Sequence, residues 1–138
     1  MRQRSLLGTG CEKYRKQTRK AVFLDEMDRI IPWKEFTDVI VPFYPQPAGA
    51  GRKPKGLEWM LRIYFMQHWF TLSDPGAEEA LYDTRVMLEF AQIDLGEEPV
   101  PDESTILHFR HLMEKHDLGG KLLDAVNRFG GRDGRQRA

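Results

Sequence analysis

Apolar side chains recur at helical spacing along most of this chain. Val22, Phe23, Met27, Ile30 and Ile31 lie three and four positions apart, with Thr18 placed to cap the run and Pro32 to stop it. The pattern predicts an amphipathic helix over 19–31. Trp33, Phe36, Val39, Ile40 and Phe43 continue the apolar stripe until Pro42, Pro45 and Pro47 close it, which predicts a second, shorter helix. From Tyr44 to Gly56 the prolines Pro45, Pro47 and Pro54 alternate with Gly49, Gly51 and Gly56, so an exposed loop is expected. It displays Arg52, Lys53 and Lys55.

The run from Leu57 to Phe70 is apolar on nearly every side, the mark of a helix enclosed by others. Ser73-Asp74-Pro75 is a helix start, and Glu78 and Glu79 suit the positive end of the dipole of a helix over about 75–84. A short helix near 85–92 follows. Gly96 to Pro101 reads as a loop, Asp102 as the cap of a helix running to about Asp117, and Gly119-Gly120 as the break before a last helix at about 121–129. No stretch alternates with a period of two, so the expected fold is all-α: a compact helical domain with a helix-turn-helix-like element. The expected division is a basic flexible arm over 1–18, the helical domain over 19–129 and a disordered Gly- and Arg-rich tail over 130–138.

Length and composition sharpen this picture. The 138 residues, 41% of them hydrophobic, suit one domain with a modest core. The formal net charge is zero, which argues against coating nucleic acid by charge alone, but the charge is unevenly spread. Over residues 1–20, Arg2, Arg4, Lys13, Arg15, Lys16, Arg19 and Lys20 face Glu12 alone, about +6. From Gly119 onward the balance is roughly +3, leaving roughly −9 for the middle. Two basic arms flank an acidic body. The single cysteine, Cys11, forms no internal disulfide and belongs to no zinc-binding spacing, so a reducing cytosol is the natural setting. The N-terminus lacks the apolar stretch of a signal peptide, and no run reaches the ~18 apolar residues of a membrane span. A soluble, cytoplasmic protein with no membrane partner is expected.

The 102–117 helix carries the clearest candidate chemistry. At about 100° per residue, Thr105, Ile106, Phe109, Leu112 and Met113 share its apolar face. Ser104, His108, His111 and Lys115 line the other as a continuous stripe of hydrogen-bond donors, and the helix's N-terminal amides are placed to meet a phosphate. Such a helix fits a major groove. The same stripe also fits the solvated side of an ordinary surface helix. Arg110, at the edge of the apolar face, either reaches a phosphate or pairs with Glu103 or Glu114. The basic arm and the Arg52-Lys53-Lys55 loop supply the cations that phosphate anchoring needs, or else simply keep the chain in solution.

Other candidates are weaker. His108 and His111 with Glu114 make an incomplete metal site that lacks a further ligand and its supporting shell. His68 reads as a core histidine, and Trp59, Tyr64, Phe65, Trp69 and Phe70 as core rather than a base-stacking platform. Cys11 has no fixed base beside it, and no set of carboxylates suggests a cleft metal.

A series of short motifs gives a more specific reading. It runs from Gln17-Thr18-Arg19-Lys20, Phe23-Leu24 and Met27 through Ile31-Pro32-Trp33, Pro42-Phe43-Tyr44-Pro45 and Gly51-Arg52. It continues with Met60-Leu61-Arg62-Ile63, Met66-Gln67-His68-Trp69, Leu72-Ser73-Asp74 and Glu79-Ala80-Leu81-Tyr82. It closes with Pro101-Asp102, Thr105-Ile106, Phe109-Arg110-His111-Leu112 and Asn127-Arg128. In this order, across residues 17 to 128, the chain resembles the N-terminal region of bacterial transposases of the insertion-sequence-five group.

The resemblance implies a helical region that recognises double-stranded DNA at the element's terminal inverted repeats and helps assemble the transposase there. Arg15, Lys16, Arg19, Lys20, Arg52, Lys53 and Lys55 are then expected to anchor phosphates. Ser104, His108, His111 and Lys115 are expected to enter a groove, with Arg110 as a further candidate DNA contact. Such transposases continue into a ribonuclease-H-like domain whose Asp-Asp-Glu triad holds two divalent metals for strand cleavage and transfer. Here Phe129-Gly130-Gly131 and a short Arg-rich end stand where that continuation is expected. This resembles a truncated or frame-shifted copy, or an artificial end to the chain. No catalytic residue, metal or other cofactor is therefore expected in these residues. The competing expectations are a helical interaction module that pairs with or inhibits full-length transposase, and a transposase remnant without a function; a homo-oligomer or full-length transposase is the candidate protein partner.

Overall fold

The computed structural model describes residues 17–45, 56–94 and 96–137, with side chains described up to residue 128. Among the described residues there are seven α-helices and no strand. Helix α1 spans Arg19–Ile30, and the Thr18 hydroxyl accepts from the amide of Ala21 at 3.1 Å, the cap the sequence implied. Extended backbone at Ile31, followed by non-helical Pro32, turns the chain into α2, Trp33–Ile40. The stripe continues past Ile40 as a 3-10 turn, Val41–Phe43, because Pro42 has no amide to donate to an α-helical bond.

Helix α3, Leu57–Phe70, begins after Gly56 at φ 88° and ends at Thr71 in a left-handed conformation, φ 55°. All of its residues from Met60 to Gln67 are buried, so it is the central helix that its all-round apolar sequence predicted. Helix α4, Asp74–Asp83, starts under Ser73, whose hydroxyl accepts from Gly76 at 3.0 Å, with Pro75 in the first turn. Helices α5, Arg85–Ala91, and α6, Glu103–Lys115, follow. Helices α2, α4, α5 and α6 all pack on α3, α1 lies against α5 and the last helix, and α6 rests on α4.

Rings fill the space around α3. The ring centre of Phe65 lies 5.5 Å from that of Trp69 and 5.9 Å from that of Trp33, both tilted, and Trp69 in turn meets Phe23 at 5.1 Å and Phe90 at 5.8 Å edge to face. Tyr64 and Phe65 are buried, while Trp59, Trp69 and Phe70 are partly buried against the same core. These aromatics pack.

The glycine pair near the end behaves differently from the expected break. Helix α7 spans Leu118–Arg137, so Gly119 and Gly120 lie in its first turn, and the turn itself is made by Asp117 at φ 55°. Gly119 is required for contact: a Cβ there would collide with the Tyr64 hydroxyl and stand 2.8 Å from its ring carbon. The glycine makes room for the hydroxyl end of the Tyr64 side chain against α7. The backbone of α7 is helical through Arg137, across residues for which the composition predicted an unstructured tail.

Candidate nucleic-acid interface

Helix α6 is positioned by its apolar face. Ile106, Phe109 and Met113 are buried, Leu112 is half-buried, and Thr105, expected among them, is exposed because it lies in the first turn beyond the edge of the core. Ser104, His108, His111 and Lys115 are all exposed, so the structure brings these four to one face as the spacing required.

The N-terminal end of α6 departs from the expected phosphate cradle. Its first amide, Glu103, donates to Oε1 of Glu78 on α4 at 2.8 Å, and the amide of Thr105 donates to Oδ1 of Asp102 at 2.9 Å. Carboxylates of the protein already occupy the donors a phosphate would use. Backbone hydrogen bonding to Thr105 holds the Asp102 carboxyl below the usual aspartate value, in keeping with an ionised cap. With Glu97, Glu98 and Glu103 nearby in sequence, this end of the helix is acidic. His108, His111 and Lys115 project from the later turns.

Arg110 is not free. Its Nε and Nη2 donate to the two oxygens of Asp74 at 3.1 and 2.8 Å, and its Nη1 donates to Glu114 at 3.1 Å. Glu114 was one of the partners the sequence offered, but Asp74, 36 residues away, was not among them. Asp74 also accepts from Nε2 of the buried Gln67 at 2.9 Å. The Arg110 hydrogen bonds, with a contribution from Gln67, hold the Asp74 carboxyl below the ordinary value, and Asp74 raises Arg110 in turn.

Arg19 and Lys20 are exposed in the first turn of α1, with Lys20 Nζ 5.1 Å from the centre of the Phe70 ring. They stand on a helix that packs against α5 and α7, whereas α6 packs against α3, α4 and α7. Arg15, Lys16, Arg52, Lys53 and Lys55 lie outside the described residues.

One histidine was misread. His68 is exposed, with Nδ1 3.1 Å from the Tyr64 carbonyl oxygen and its ring centre 4.4 Å from that of Tyr64. It sits in the last turn of α3 on a face turned away from Trp69 and Phe70, which still pack against Phe23. Among the described residues no three His, Cys, Asp or Glu side chains are placed to hold a metal. No helix among them is long and apolar enough to cross a membrane.

Sequence reasoning assigned no role to Arg62, which is only 2% exposed. Its guanidinium meets Asp28 at 2.9 Å and Glu58 at 2.7 Å, donates to the Phe90 carbonyl at 2.9 Å, and stacks 4.0 Å from the Trp33 ring centre. The available signal was a lone arginine inside an apolar helix with a glutamate four residues before it.

Residues 12–112 match the family model described as Transposase domain (DUF772). No solved structure matches the chain.

Proposed function

Since the chain belongs to the DUF772 transposase-domain family, we propose that it is the DNA-recognition and assembly region of an insertion-sequence transposase. Its target is double-stranded DNA at the element's terminal inverted repeats. The observation that carries this reading is the outward stripe of His108, His111 and Lys115 on a helix whose opposite face is locked into the core. That stripe enters the groove from the later turns of α6, in a helix-turn-helix-like arrangement with α4 behind it. Ser104, beside the acidic N-terminal end, makes a smaller contribution. Arg15, Lys16, Arg19, Lys20, Arg52, Lys53 and Lys55 anchor phosphates, because cations on the two basic segments offset the acidic body. These residues hold no nuclease centre and need no cofactor of their own. The setting is the bacterial cytoplasm, on the nucleoid when DNA is bound.

A second reading draws on a different observation. Tyr82 is 62% exposed and Phe43 42% exposed, and apolar surface of this kind suits pairing with a second copy or with full-length transposase. Salt separates the two. Gel shifts with terminal-repeat DNA over a salt series are expected to weaken steeply from low to physiological salt, and Arg52→Ala/Lys53→Ala to flatten the slope by about two. Association through apolar helices would leave the salt series flat.

A further inference from the structure

We propose that Arg110 is a positioning residue: gripping Asp74, it works with Glu78 to set the rotation and register of α6, and so aims His108, His111 and Lys115 at one groove. The inference rests on the DNA reading above and refines it.

Two links join α4 to α6. The amide of Glu103 donates to Glu78 at 2.8 Å, and seven residues later both carboxylate oxygens of Asp74 take hydrogen bonds from Arg110 at 3.1 and 2.8 Å. The links run antiparallel, since the earlier α4 residue meets the later α6 residue. A helix held at one point pivots, while two points about 10 Å apart along its axis fix both tilt and register. The planar guanidinium fork adds angular definition that a lysine would not.

The clamp also reaches the core. Asp74 accepts from Gln67 at 2.9 Å, and Gln67 is buried on α3 and further donates to the Leu72 carbonyl at 3.3 Å. The central helix thereby sets Asp74, and Asp74 sets α6. A DNA phosphate that took the Nε–Nη2 edge of Arg110 would open this clamp, because releasing that edge leaves Asp74 in its half-buried site with Gln67 as its remaining hydrogen-bond partner.

The substitution Asp74→Asn separates positioning from charge. It preserves shape and removes a negative charge, so electrostatics alone would tighten DNA binding. Loss of the clamp instead lowers the affinity ratio of terminal-repeat over scrambled DNA, by about tenfold for Asp74→Asn and for Arg110→Gln, with the salt slope unchanged. Unchanged or tighter binding by Asp74→Asn, with a salt slope lower by about one in Arg110→Gln, would overturn the assignment in favour of phosphate contact. Amide resonances of DNA-free protein give an independent readout. Asp74→Asn is expected to move them along Glu103–Lys115, and unmoved resonances overturn the clamp. Wild-type protein that fails to distinguish the two DNAs overturns the recognition reading itself, and the resonances then decide the clamp alone.

Discussion

Helices α3 and α6 each hold an arginine among carboxylates, and they use it in opposite settings. On α3, Arg62 lies in the core between Asp28, Glu58 and the Phe90 carbonyl, so it serves the fold and meets no solvent. On α6, Arg110 sits at the rim, one edge toward Asp74 and the core and the other toward Glu114 on the surface. From Met60 to Gln67 the inner helix gives every face to packing. The outer helix keeps one face free, and its rim arginine ties the helix to Asp74 on α4.

Breaking the inner arrangement is expected to cost most. Arg62→Ala empties a buried site and leaves the Phe90 carbonyl without its donor, for a loss of about 3 kcal/mol in denaturant unfolding. Arg62→Met fills the same volume and is expected to cost less, because Asp28 and Glu58 retain enough exposure to be hydrated. Equal losses in the two variants would show that charge pairing, rather than space filling, dominates at α3.

Gly119→Ala attacks the contact between α7 and the Tyr64 side chain of α3. The added methyl meets the Tyr64 hydroxyl and ring, and displacing them is expected to destabilise by roughly 2 kcal/mol. The double variant Gly119→Ala/Tyr64→Leu tests the cause, since removing the hydroxyl end of the ring is expected to recover part of the loss. No recovery would place the cost in backbone conformation instead.

The outer helix gives a smaller and pH-dependent effect. Arg110 holds the Asp74 carboxyl below its ordinary value, so its contribution to stability is fully present above the unfolded aspartate pKa of about 3.9. It is lost as pH falls through the lowered folded value. Acid unfolding followed by circular dichroism is expected to flatten below pH about 4 in Asp74→Asn, whereas an unchanged profile would remove Asp74 from the balance.

Legibility in the sequence followed local chemistry. The all-α fold, the enclosure of α3, the caps Thr18, Ser73 and Asp102 and the exposed stripe on α6 depend on periodicity or on neighbours within a few residues. The misreadings depended on distant partners. Asp74 meets Arg110 across 36 residues, Phe90 meets Arg62 across 28, and Gly119 is dictated by a tyrosine on another helix. His68 was misplaced because apolar neighbours in sequence do not reveal which face of the last turn is left uncovered. The phosphate cradle expected at α6 was already filled by Glu78, a residue that sequence placed only as a helix-dipole partner of its own helix.

The most direct test of the recognition face is the triple substitution His108→Ala/His111→Ala/Lys115→Ala. All three side chains are exposed, so each is expected to change stability by no more than about 0.5 kcal/mol, and thermal melts serve as the control. Affinities for terminal-repeat and scrambled duplexes would be measured by fluorescence anisotropy at one fixed salt concentration. The prediction is that preference for the repeat is lost while weak binding to both duplexes survives through the basic segments. A folded triple variant that keeps the wild-type preference would contradict the assignment of the α6 face to DNA recognition.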